Sequence, residues 1–165
     1  MKLLLRILTV NDVTQSYVDW FKISDVTRFS DNQYHTFSLE TQKEYVMSCI
    51  QNKNVDLYGI FDEKKHIGNI LIKNLNSPHK CAEITYVIGN IDYWNKGVAF
   101  FAVSKIIDIS RTKYRLNKLL AGVAEQNIGS VKVLEKNGFK LVGKRLEHLF
   151  YGGKFHNQLD YELKL

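Results

Sequence analysis

The sequence predicts an α/β domain, a mixed central sheet of about seven strands flanked by about four helices, within residues 1–165. Three observations predict it. Residues 55–88 hold three β-rich runs joined by short polar turns, the pattern of an antiparallel meander. A helical stretch then separates the third run from a fourth, and a helical crossover implies parallel pairing of the two strands it joins. Finally, 165 residues with 45% hydrophobic and 24% charged content suit one ordinary domain with a real core and exclude wholesale disorder.

The elements follow in order. Leu3 to Leu8 reads as a short buried strand. Asn11-Asp12 offers a helix cap ahead of Val13, Tyr17, Trp20 and Phe21, which share one helical stripe. Asp25 to Phe29 suggests a short helix or turn, and the segment 31–37 a loop. Ser38 can cap a helix reaching Gln51, with Leu39, Val46 and Ile50 on one side. Strands are expected over 55–61, 66–75 and 81–88, with a four-residue polar connection at 62–65. Ala99, Val103, Ile106, Ile107 and Ile109 run at helical spacing up to Thr112. A strand over 118–124, a helix from Asn127 to Asn137 stopped by Gly138, a strand over 139–142 and an alternating strand over 159–165 complete the order β-α-α-β-β-β-α-β-α-β-β.

Composition narrows function. Cys49 and Cys81 are too few for a disulfide framework or a four-thiolate zinc site, and the five histidines (His35, His66, His79, His148, His156) lack metal-ligand spacing, so no metal is expected. The apolar run after Met1 is cut short by Arg6, and no run approaches a membrane span, so a soluble cytoplasmic protein without a membrane partner is the expectation. The net charge of +6 raises the question of nucleic acid. Six cations and one anion fall between Lys96 and Lys118, with no basic tail or block elsewhere. A positive zone of that kind around a glycine-containing loop suits a phosphate-bearing small molecule better than a polyanion.

Two segments carry the chemistry. Tyr93-Trp94-Asn95-Lys96-Gly97-Val98-Ala99 lies between a strand and a helix. Small residues there let a ligand approach the backbone, the first helical N–H groups lack internal partners, and Lys96 adds charge. The second segment, Gln126-Asn127-Ile128-Gly129-Ser130, opens the next helix directly after the fourth strand. Asn127 is a cap that can also turn its amide to a ligand between the strands, with Ser130 one turn on.

Together, in this order and separation, the segments resemble the GCN5-related N-acetyltransferase (GNAT) family. The pyrophosphate signature Gln/Arg-x-x-Gly-x-Gly/Ala reads Trp94-Asn95-Lys96-Gly97-Val98-Ala99 here, with Trp94 in place of the usual first residue. The Asn-x-x-Ser-x-x-x-Leu-Glu-Lys-x-Gly-Phe run from Asn127 to Phe139 is similar to the branch holding ribosomal-protein N-terminal acetyltransferases. The resemblance implies a cleft between the two central parallel strands, with acetyl-CoA in it. Backbone N–H groups of Asn95, Lys96, Gly97, Val98 and Ala99 would meet the pyrophosphate. The strand end at Tyr86, Val87 and Ile88 would pair with the pantetheine, and Asn127 would meet it near the thioester.

Acetyl transfer to an amine needs a proton acceptor, a donor for the oxyanion and help for the departing thiolate. Glu83, a mid-strand carboxylate that needs a partner, water or a task, is the expected base, with water as the alternative. A backbone N–H near Val87 is the expected oxyanion donor. Many family members carry a Tyr where this chain has Leu134, so Ser130, sometimes assigned the acid role in the ribosomal-protein branch, is read as a hydrogen-bond donor to the thiolate. The favoured acceptor is the primary amine of a small molecule, an amino-sugar nucleotide as in bacterial surface-polysaccharide pathways. An N-terminal amine of a ribosomal or other protein comes next, and a non-catalytic acyl-CoA-binding regulatory domain is the contrasting class. Monomer and homodimer both remain open.

Overall fold

The antiparallel meander forms one half of the sheet. In this computed structural model, which describes residues 1–165, β1 (Leu3–Ile7), β2 (Val55–Asp62), β3 (Lys65–Lys73) and β4 (Cys81–Ile88) pair in sequence order, each antiparallel to the last. The β2–β3 connection is tighter than expected, Glu63-Lys64 alone, with Glu63 at a φ of 52°. The helix α4 (Val98–Thr112) crosses to β5 (Lys118–Ala124), which pairs parallel to β4 as the crossover requires. After α5 (Ile128–Lys136), β6 (Lys140–Tyr151) and β7 (Lys154–Lys164) form a long hairpin, and the later strand inserts beside β5. The order is β1-β2-β3-β4-β5-β7-β6.

Alternation along the strands divides two cores. Ile60, Ile70, Ile72, Ala82, Ile84, Leu119, Ala121 and Val123 face Ala102, Val103 and Ile106 of α4 and Leu134 of α5. On the other face, Leu57 and Phe61 meet Tyr17 and Trp20 of α1 (Gln15–Trp20) and Val46 and Cys49 of α3 (Leu39–Gln51). That second layer covers only the β1–β3 half. The same face of β5 is open, with Leu120 and Gly122 exposed.

Several expectations are corrected. The Leu3–Leu8 run is not a buried strand but the sheet edge, with Leu4 and Ile7 exposed; only Leu8, beyond the strand, is buried. No helix starts at Asn11. A 3-10 turn spans Val10–Asp12, where Arg6 grips the Asp12 carboxylate through both guanidinium nitrogens at 2.8 and 2.6 Å. Thr14 caps α1 instead, accepting from the Tyr17 N–H. The region around residues 25–29 forms the one-turn α2 (Ser24–Thr27), which makes five helices, and 31–37 contains a 3-10 turn. Ser38 does cap α3 in a capping box with Thr41, but the buried stripe is Gln42, Val46 and Cys49, the i, i+4, i+7 set, and Ile50 points to solvent. Finally, β6 runs nine residues beyond the expected Val142, because its exposed faces carry no hydrophobic alternation to read.

Candidate active site

The parallel contact between β4 and β5 is short. Only Cys81, Ala82 and Glu83 pair with Lys118, Leu119 and Leu120. Beyond them Ile84–Ile88 and Ala121–Ala124 diverge, each wall held by its outer neighbour, β3 through Gly68–Ile72 and β7 through Gln158–Tyr161. Inner-edge backbone groups past the fork therefore have no strand partner, and a buried amide needs one. A ligand with amides of its own satisfies them as an added strand does.

Which groups face the opening follows from strand geometry. The Gly89 N–H donates to the Ile67 carbonyl of β3 at 3.0 Å. Successive residues alternate sides, so Val87, paired with Asn69, also turns its backbone toward β3. Gly68 permits that approach, since a Cβ there would lie 2.5 Å from the Val87 oxygen. Tyr86 and Ile88 point into the opening. The N–H of Val87 itself thus turns toward β3, and of the backbone donors near it those of Tyr86 and Ile88 face the opening.

At the mouth, Asn95 and Gly97 have φ of 59° and 78°, and Gly97 begins α4 without any side-chain cap. The first hydrogen bond of the helix is Phe101 N–H to the Gly97 oxygen at 2.9 Å, which leaves the N–H groups of Val98, Ala99 and Phe100 outside the ladder. Open space surrounds Gly97. Unpaired donors at a helix start suit a phosphate oxygen, and the residues present fit the pyrophosphate of acetyl-CoA. The loop is braced: the Trp94 indole donates to the Ile88 carbonyl at 2.8 Å, and the Tyr93 hydroxyl to Asp62 at 3.0 Å.

The charge distribution differs from expectation. Helix α4 has 15 residues, about 22 Å at roughly 1.5 Å per residue, so Arg111, Lys113, Arg115 and Lys118 lie at the far end from the loop. Lys113 pairs there with Asp56 at 3.0 Å and Lys118 with Glu162 at 2.6 Å. Lys96 alone of that group sits in the loop. The sequence reading missed one neighbour of the loop: the Asn137 amide donates to the Phe100 carbonyl at 3.5 Å, which sets the last turn of α5 beside the start of α4.

At the other wall, the Asn127 side chain caps α5 by accepting from the Ser130 N–H at 3.2 Å, and its amide nitrogen is left for a ligand. The half-buried Tyr86 hydroxyl reaches across from β4 to donate to the Ser130 carbonyl at 3.3 Å, and desolvation pushes that phenol up to about 12. Ser130 is half-buried beside it. Leu134, at the position of the family's tyrosine, is buried in the core. Glu83 stands at the last paired position before the fork, on the open face, 3.1 Å from Lys73. The structure thus brings Tyr86, Ile88, Asn127 and Ser130 to one opening, the loop to its mouth and Glu83 to its apex.

A sheet forked between parallel strands, with a glycine-led helix start at the mouth, defines a protein that passes an amide-rich, phosphate-bearing chain through its sheet. The acetyltransferase (GNAT) domain pattern matches residues 2–140, and the chain belongs to that family: it is an acetyl-CoA-dependent N-acetyltransferase. It is 28% identical over 130 residues to the putative ribosomal N-acetyltransferase YdaF of Bacillus subtilis, covering 76% of this chain and 70% of that one. Ribosomal-protein-S5-alanine acetyltransferase from Vibrio fischeri superposes with a TM-score of 0.88 at 20% identity, over 99% of this chain and 93% of that one. Spermidine N-acetyltransferase from Vibrio cholerae, solved with CoA and spermine, gives 0.87 at 22%, over 99% and 95%.

Proposed function

We propose that the amine acceptor is the α-amino group of a polypeptide N-terminus, laid over the open face of β4, β5 and β7. The charge state of that face carries the reading. Its carboxylates are each engaged by a cation: Glu83 by Lys73, Glu162 by Lys118, and Asp160 by Arg145 at 2.7 Å. No free carboxylate of that face awaits a polyamine, and the amino-sugar nucleotide, the acceptor favoured from sequence, is the competing acceptor that the assay below separates. The Tyr34 hydroxyl donates to the Phe150 carbonyl and the Tyr151 hydroxyl to Asp31 at 3.1 Å, so the 31–34 turn and the hairpin tip close one end and leave the rest open.

The chemistry agrees. An α-amine has a pKa of roughly 7.7–8.0, against about 10.4 for a lysine-type amine, so much of it is neutral near pH 7.5. Glu83, held beside Lys73, takes the proton of the fraction that arrives charged, before attack. As the amine nitrogen bonds to the thioester carbonyl, an N–H of Tyr86 or Ile88 holds the oxyanion. The C–S bond breaks, the nitrogen's proton passes to Glu83 or to water, and the Ser130 hydroxyl donates to the thiolate. Positioning carries much of the remaining rate.

Thiol release from acetyl-CoA, measured with a panel of acceptors, tests the proposal. Peptides with a free N-terminus should release thiol, and the same peptides blocked at the N-terminus should not. Faster release with an amino-sugar nucleotide or spermidine would overturn the acceptor assignment. CoA binding without release for any amine would favour the regulatory reading.

A further inference from the structure

We infer that Trp94 selects the register in which the pantetheine chain pairs with β4, and so places the thioester at the fork. The inference rests on acetyl-CoA occupying the cleft. Past the fork, alternation directs two β4 residues into the opening, Tyr86 and Ile88, and each offers an N–H and a carbonyl. A ligand carrying amide groups has two frames on such an edge, one dipeptide apart. At roughly 3.3 Å per strand residue the frames differ by about 6–7 Å, enough to withdraw a thioester from the apex where Glu83 stands. The structure breaks the tie. The Ile88 carbonyl accepts from the Trp94 Nε1–H at 2.8 Å, a good hydrogen bond. A carbonyl oxygen has a second lone pair, but one that already accepts a good hydrogen bond gains less from a second donor than a free carbonyl gains from its first. The Tyr86 carbonyl has no such occupant. A ligand N–H therefore finds its acceptor at Tyr86, the inner position, and the outer frame is disfavoured.

The residue is held to this task. Trp94 is half-buried and follows the Ile91–Tyr93 turn, with its N–H bonded to the Ile91 oxygen at 3.0 Å. At the strand end itself, the Gly89 and Asn90 N–H groups share the Ile67 oxygen at 3.0 and 3.1 Å, and the Trp20 ring fills the space a Gly89 side chain would need. Strand end and indole are thus fixed relative to each other before any ligand arrives. Trp94 acts through the Ile88 carbonyl and is a positioning residue.

Trp94→Phe keeps an aromatic ring and removes the N–H. The probe is CoA, followed by amide NMR of Tyr86 and Ile88 and by calorimetry. In the wild-type protein each amide should show one bound resonance. In the variant each should split or broaden into two bound forms, because a second frame is added and none is lost. Trp94→Gln, which returns an N–H donor, should recover the single form. In turnover, a non-productive frame lowers kcat and the KM for acetyl-CoA together. A single bound form in Trp94→Phe would overturn the inference, as would weaker binding accompanied by a fall in Tm, which marks a merely structural role. Absence of CoA binding by the wild-type protein would instead remove the cleft assignment on which the inference stands.

Discussion

Glu83 shows how one residue changes meaning between chain and structure. In the sequence it is a carboxylate in an apolar strand; in space it ends the paired part of β4, faces the open side and meets Lys73. If it accepts the amine's proton, Glu83→Gln should reduce turnover by roughly 10²-fold or more at pH 6–7. The loss should shrink toward pH 9, where more of the amine arrives neutral. A pH–rate profile with a saturating peptide acceptor checks this, and a uniform loss at every pH would assign Glu83 to sheet structure. The Ser130 hydroxyl needs no acidity for its part, since a thiolate leaves readily and gains from a donor.

The strand-loop-helix element around Gly97 joins two requirements at one position. The backbone there is left-handed, with φ of 78°, and the side that a Cβ would occupy is open. Gly97→Ala should cost about 1–2 kcal/mol from the left-handed conformation, a fall in Tm of roughly 2–8 °C for a chain of this size. Gly97→Glu should carry a similar folding cost and abolish CoA binding, because it sets a negative charge among donors meant for phosphate. Calorimetry with CoA and thermal unfolding separate the two effects. Retained affinity in Gly97→Glu would move the pyrophosphate site elsewhere.

Across the whole molecule, stability is tied to pH by a histidine remote from the fork. His66 is enclosed by Tyr17, Trp20 and Phe61 at ring-centroid distances of 5.1, 4.8 and 4.9 Å. Its Nε2 lies 2.7 Å from Asn69 Oδ1 and 3.1 Å from the Gly68 oxygen, both acceptors, so Nε2 carries the hydrogen; buried Nδ1 has no partner. Burial, the largest influence, lowers the His66 pKa in the fold. The unfolded chain therefore takes the proton first, and this stabilisation is present above about pH 6.5 and lost as pH falls through that value, at up to about 1.4 kcal/mol per pH unit. Asp12, held below the usual carboxylate range chiefly by its hydrogen bonds from Arg6, adds loss only below about pH 4. Urea unfolding from pH 7.5 to 5 should show the decline in the wild-type protein and a flatter profile in His66→Phe.

Much of the fold was legible because its signals are local. The meander, the α4 crossover, the caps at Ser38 and Asn127 and the Gly138 stop are read from spacing and turn chemistry, and the two motif segments lie where the expected strands end. Nothing local revealed that β7 inserts between β5 and β6, since strand order is set by which edges pair across long separations. The β6 extension was hidden for a related reason: a ribbon exposed on both faces has no hydrophobic period. The same division runs through the site. By itself the sequence determined that a glycine-led helix start follows a strand and that Asn127 and Ser130 open the next helix. Only the tertiary structure decided that β4 and β5 part after Glu83, that Val87 turns its amide away, that Trp94 occupies the Ile88 carbonyl, and that the basic run from Lys96 to Lys118 is stretched along a helix and partly neutralised at its far end. Backbone direction and charge pairing depend on neighbours distant in the chain, and spacing along one strand or helix carries no record of them.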